Sequence, residues 1–297
     1  MSEVTNIISE PEADPKGDEL SIKSPRIVFI RSLAHSGSTL LDMLISSHPD
    51  VVSVGEVVRF NKYPNSQCAC QRIIWDCPFW KAVEEVMRAR FDLTLRDLQQ
   101  WAGDRETFER HNLALFDGVR EVSGKHVIVD SSKHINRLKH LVESEQLDVL
   151  PIHLIRNPLG VVYSHVRRGD DWRYHARQYA KGLIATQDYL RRRPHIEVRY
   201  DDLVNDPNNT LARVMEGIGL NYDPDQLNWA GRTRHNCNGN RKVRYSKDST
   251  IRMDSDWRKG LTRSQKLGVS LLTLKSRIPG RFHYDALRGR VRKVLSW

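Results

Sequence analysis

The 297-residue chain has no apolar run approaching the ~18 residues that cross a membrane as a helix, which excludes a membrane-spanning helix. Its first 24 residues, MSEVTNIISEPEADPKGDELSIKS, are acidic and polar and lack the apolar core of an export signal. They read as a mobile tail, and the expected location is cytoplasmic. Cysteine is scarce: Cys68, Cys70, Cys77 and Cys237 are all there is, and a reducing compartment keeps them as thiols. The C-x-C-x6-C spacing of the first three lacks both the paired C-x2-4-C ligands and the fourth donor of a zinc site, so packing thiols and no metal are expected. No HExxH or His-x-His pair suggests a catalytic metal. Acidic residues are also in deficit, 37 against 47 Lys and Arg. The resulting net charge of +10 attracts something anionic without saying what.

What is present is a run of apolar strands alternating with helical stretches. Strands are expected at Arg26–Arg31, Val51–Val54, His126–Val129, Val149–Ile155 and Ile196–Tyr200. Helices are expected at Thr39–Ser47, Phe79–Arg90, Thr107–Val122, Asn136–Glu143, Leu159–Arg168 and Trp172–Arg192. That alternation predicts an α/β fold with a P-loop-like central, mostly parallel sheet flanked by helices on both faces. Residues 25–297 form one domain after the tail (1–24), with the C-terminal third capping the sheet. The basic segment 276–297 reads as an amphipathic helix, either packed on its own domain or reaching a membrane surface or partner.

After the first strand comes a small-residue turn, Ala34-His35-Ser36-Gly37-Ser38-Thr39, and then a helix. Strand, tight turn and helix N-terminus together aim backbone N–H groups at an anion, and Gly37 permits close approach. The turn has no Gly-Lys-Ser/Thr, so the lysine of a nucleoside-triphosphatase loop is missing. A phosphate cradle without that lysine points to a nucleotide with a different leaving group.

Ala34–Leu40 (AHSGSTL) resembles the 5′-phosphosulfate loop of sulfotransferases that use 3′-phosphoadenosine-5′-phosphosulfate (PAPS). Leu154–Arg168 (LIRNPLGVVYSHVRR) resembles the same family's 3′-phosphate motif, an Arg at a strand end with a Ser eight residues on, here Arg156 and Ser164. An Arg fork with a hydroxyl suits the 3′-phosphate that distinguishes PAPS from other adenine nucleotides. Gly55-Glu56, Asp130-Ser131-Ser132-Lys133, Tyr200-Asp201-Asp202-Leu203, His235–Asn240 and Asp256–Leu261 extend the resemblance, which is strongest to the bacterial branch similar to Golgi and tyrosylprotein enzymes.

The resemblance implies sulfuryl transfer from PAPS to a hydroxyl acceptor (carbohydrate, lipid, natural-product alcohol or tyrosine), leaving PAP. It implies Glu56 as base, and His35 and Lys133 as cations at the leaving phosphate. His35, Ser36, Gly37, Ser38, Thr39, Leu40, Arg156, Ser164, Arg168, Tyr200 and Asn240 would then bind the nucleotide. His35 stands where the family carries Lys or Arg. A histidinium beside a dianion would serve there, or Arg31 or Lys133 supplies the charge instead. Two other readings are a P-loop nucleotide or small-molecule kinase, which should carry the missing lysine, and a basic nucleic-acid binder. The scattered tryptophans do not form a stacking platform, so no nucleic-acid partner is expected.

Overall fold

The computed structural model describes residues 25–61, 65–98 and 104–274; the expected tail (1–24) and basic helix (276–297) lie outside them. The chain opens with β1 (Arg26–Ser32), α1 (Ser38–Ile45) and β2 (Val51–Gly55). Helices α2 (Pro78–Phe91) and α3 (Arg105–Ser123) lead to β3 (Val127–Asp130), and α4 (Ile135–Val142) leads to β4 (Asp148–Ile155). Then come α5 (Pro158–Val166), α6 (Trp172–Leu190), β5 (Ile196–Arg199), α7 (Tyr200–Asn205) and α8 (Pro207–Ile218). Three further helices follow, α9 (Arg241–Arg244), α10 (Trp257–Gly260) and α11 (Arg263–Leu274).

All four strand pairings are parallel, in the order β2-β3-β1-β4-β5. The middle of central β1, Ile27–Ile30, is apolar without interruption, as suits a strand covered by helices on both faces. Ile27 and Phe29 join a core with Trp80, Phe108 and Phe116, while Val28 and Ile30 join another with Leu44, Val214 and Trp229. The helix starts follow from their caps. Asp104 and Asp171 accept from Thr107 and Tyr174 N–H, and Asn157 and Asp206 each precede a proline at the first helical position.

The expected elements are present within two residues at their ends. Tyr200 differs: it opens α7 rather than closing the fifth strand, and Asp201 and Asp202 in that first turn suit the positive end of the helix. The described part of the C-terminal third packs on the elements around the sheet. Trp229 enters the α1/α8 core, and Leu261 and Val269 pack with α5 and α6.

Chain order decides where a ligand can sit. From β1 the chain turns first to the β2/β3 side and later to β4 on the other, so a crevice opens beyond the C-terminal end of β1.

Candidate active site

All five strand ends place a side chain or turn at that crevice. The turn after β1 is the cradle. His35 (φ 63°) and Gly37 (φ 94°) are both left-handed, and a Cβ on Gly37 would stand 2.6 Å from the Tyr200 ring. Only glycine lets the loop lie against that ring. Ser36, Ser38 and Thr39 are buried, and the first-turn N–H groups of α1 have no acceptor within the helix. Leu40 packs half-buried into the core behind them.

Arg156, from the end of β4, reaches over the cradle. Its Nη1 donates to the His35 carbonyl (2.7 Å), its Nη2 pairs with Asp254 (2.8 Å), and its guanidinium lies 4.4 Å over the Tyr200 ring. Tyr179 of α6 donates to the Arg156 carbonyl (2.7 Å). Burial opposes ionisation of Asp254, but Arg156 holds its carboxyl below the ordinary carboxylate range.

The opposite wall comes from β2 and β3. Glu56 is 4% exposed, and its carboxylate accepts from Lys133 Nζ and pairs with Arg59 Nε at 3.2 Å. Lys133 has a left-handed backbone (φ 70°), and its carbonyl is clamped by Arg31 Nη1 (2.6 Å). Gly55 precedes Glu56 for a steric reason. The Cys237 backbone lies on it so closely that a Cβ would meet Cys237 O at 2.1 Å. Glu56 N–H donates to that same oxygen (2.8 Å).

Two of the charges weighed from the sequence are constrained by their surroundings before any anion binds. Arg31 is not a free cation for a leaving group. It is buried, and its N–H groups are spent on Thr186 Oγ1 (2.8 Å) and the Ser32 and Lys133 carbonyls (2.6 Å each). With no anion beside it, His35 is disfavoured as a histidinium. Burial first, and then the charges of His165, Arg168, Lys133 and Arg156, bring its pKa down to about 4. Its ring meets His165 edge-on at 4.7 Å, and His165 in turn stacks on His175 at 3.6 Å. His165 Nδ1 and His175 Nε2 share one Asp170 oxygen, at 3.1 and 3.4 Å.

The remaining expected residues divide. Ser164 is buried on α5, with its hydroxyl donating to the Gly160 carbonyl (2.9 Å). Arg168 is exposed just past α5, close enough for its charge to act on His35. Asn240 caps α9 through its side chain, while its N–H donates to Thr39 Oγ1 (3.0 Å) and so ties this loop to the cradle. Sequence reading passed over Asp254, Tyr179 and Thr186. Asp254 lies two residues before the DWRKGL segment, but nothing local marks it as the partner of Arg156.

Cradle, Arg fork and carboxylate–ammonium pair on a parallel α/β sheet have the chemistry to hold an anionic group beside a carboxylate. Residues 25–224 match the Sulfotransferase family, and the chain belongs to it. It is 27% identical over 164 residues to carbohydrate sulfotransferase 1 of Danio rerio, a match spanning 45% of this chain and 39% of that protein. The fold is similar to the sulfotransferase domain of the Synechococcus PCC 7002 olefin synthase (TM-score 0.53, 20% identity, 88% of this chain and 98% of that one). It is also similar to the sulfotransferase STF1 of Mycobacterium tuberculosis H37Rv (TM-score 0.50, 14% identity, 86% and 78%).

Proposed function

We propose that the chain transfers the sulfuryl group of PAPS to the hydroxyl of a small molecule or glycan, releasing PAP. The observation that carries this reading is the convergence of two separated anion sites with one buried carboxylate. The Ser36–Thr39 cradle suits a 5′-phosphosulfate, and Arg156 suits a 3′-phosphate. Glu56 faces Lys133 between the ends of β2 and β3.

In this mechanism the acceptor oxygen attacks sulfur in line with the bridging oxygen. The new O–S bond forms as the bond to the 5′-phosphate breaks, and the acceptor's proton passes to Glu56. The unliganded Glu56–Lys133 pair keeps both charges compensated at little exposure. An incoming phosphosulfate competes for Lys133, which frees the carboxylate to act as base and leaves the ammonium to stabilise the departing phosphate. His35, neutral beforehand, gains a dianion as neighbour, which favours its protonation and lets it donate to the same oxygens.

The test is direct. Thermal shift should rank PAP well above AMP, and incubation with labelled PAPS and a cell extract, without chelator or added magnesium, should label an acceptor. Equal stabilisation by PAP and AMP, or labelling by ATP with magnesium instead, would overturn the reading.

A further inference from the structure

The cysteines that looked like packing thiols have a fourth donor that their spacing conceals. Cys68 and Cys70 sit on a tight reversal in which Cys68 N–H donates to the Arg72 carbonyl, Gln71 N–H donates back to the Cys68 carbonyl (2.9 Å each), and Gln71 is left-handed. Cys77 immediately precedes the first turn of α2. His235 arrives from a loop far along the chain and points Nδ1 at the sulfurs, 3.2 Å from Cys77 Sγ and 3.8 Å from Cys68 Sγ. Cys70 and Cys77 sulfurs are 3.6 Å apart, and all four donor atoms lie within 4.8 Å of one another.

These separations fit one ion. With Zn–S near 2.3 Å and Zn–N near 2.0–2.1 Å, tetrahedral geometry sets neighbouring ligand atoms about 3.5–3.8 Å apart. The surroundings fit as well. Backbone N–H groups of Cys70, Arg72 and Trp80 are directed at the sulfurs of Cys68, Cys70 and Cys77. The His235 ring is fixed by a parallel stack on Phe79 (5.0 Å) and by Trp80 Nε1 donating to the His235 carbonyl (2.7 Å). Cys68 and Cys77 are buried, so thiolates there need a cation as counter-charge, which a bound metal supplies.

We infer that Cys68, Cys70, Cys77 and His235 bind a structural zinc ion in a closed tetrahedral Cys3His site. With all four positions filled by protein, the ion has no open site for chemistry. Its role is mechanical. It pins the loop that begins at His235 to the 66–77 reversal and to α2. That loop places Cys237 on Gly55, lets Asn238 donate to the Glu56 carbonyl (3.3 Å), and lets Asn240 N–H reach Thr39. Zinc therefore holds one wall of the active-site crevice without touching it, and the inference stands whatever the donor nucleotide proves to be.

The full chain, purified under reducing conditions without chelator, should carry zinc at a molar ratio near unity by elemental mass spectrometry. Cobalt substitution should give the intense visible bands of tetrahedral thiolate coordination. Cys70→Ser, at the half-buried corner of the site, should surrender its metal to a competing chelator at concentrations at least tenfold lower. Cys237→Ser, whose sulfur lies outside the cluster and donates to the Val54 carbonyl (3.0 Å), should retain it. Chelation of the wild type should lower Tm. Sub-stoichiometric metal after zinc addition, with all four thiols free to a thiol reagent, would overturn the proposal. So would a Cys70–Cys77 disulfide found by mass, or zinc retained equally by Cys70→Ser.

Discussion

Arg156 and Asp254 make opposite predictions about the same ligand, which makes the pair a sharp test of where a 3′-phosphate binds. The Arg156 guanidinium is already committed, through Nη1 to the His35 carbonyl and through Nη2 to Asp254. A 3′-phosphate that uses this fork must displace Asp254. Arg156→Gln therefore removes a charge-assisted contact to the phosphate of roughly 1.5–3 kcal/mol. That should weaken PAP binding about 10- to 150-fold. AMP, which lacks the 3′-phosphate, should lose little beyond the effect of a loosened His35 carbonyl. Asp254→Asn works the other way. It removes the competing anion while keeping an amide oxygen for the guanidinium. Because Asp254 is about one-third exposed, the gain is discounted to on the order of 1 kcal/mol, about fivefold tighter PAP binding. Isothermal calorimetry with PAP and AMP on all three proteins reads both effects, and the AMP column controls for damage to the cradle. An unchanged PAP-to-AMP ratio in Arg156→Gln would refute the assignment. Weaker PAP binding in Asp254→Asn would show that the carboxylate positions the arginine instead of competing with the ligand.

Glu56→Gln should lower sulfuryl transfer by about 10²–10⁴-fold with PAP affinity nearly kept, since the amide cannot serve as a comparable base; single-turnover transfer and calorimetry on one preparation check it. Gly55→Ala should be far more disruptive than an ordinary surface change, because the new Cβ meets backbone atoms of Cys237 at 2.1 and 2.7 Å and φ is +73°. A loss above about 3 kcal/mol in urea titration is expected. His153 is buried opposite Arg31, and burial, then that guanidinium and His195, press its pKa down to about 3. The unfolded imidazole takes its proton near 6.5, so stability falls as pH drops below that value, by about 2 kcal/mol at pH 5. His153→Gln should flatten that acid limb in denaturant midpoints taken from pH 7 to pH 5.

The parts of the candidate site that the sequence brings together are those set by local geometry. The cradle is a contiguous strand, turn and helix start, and the Arg156–Ser164 pairing lies on one strand-to-helix junction, so each could be recognised within a short window. The charge states were not legible in this way. Period-two alternation already places Arg31 on the same face as Ile27 and Phe29, yet only the fold shows that Thr186 and two carbonyls are there to receive it. The depressed pKa of His35 likewise comes from burial and from groups on β3, β4 and α5. Long-range partners were the other loss. His235 stands 158 residues beyond Cys77 and Asp254 stands 98 beyond Arg156, so no motif window could contain either pair.

The position of Glu56 shows why such a site tolerates change around it. Its backbone is fixed from both sides: Glu56 N–H on Cys237 O, Ser131 N–H on Gly55 O at 2.9 Å, and Val58 N–H on Ser132 Oγ at 3.2 Å. None of these bonds involves α2, α3 or α6. Asp130 secures the second of these segments from below, paired in full burial with Arg137 of α4 at 2.8 Å and accepting from Ser132 N–H. A carboxylate held by backbone and by a buried pair keeps its place when side chains on the surrounding helices are exchanged. Side-chain substitutions on α2 and α3 should thus leave the Glu56 carboxylate in register, whereas Thr186 and Tyr179 of α6 support Arg31 and Arg156 and are not free to change. In the proposed mechanism, charges fixed at strand ends separate the chemistry of transfer from the recognition of the acceptor.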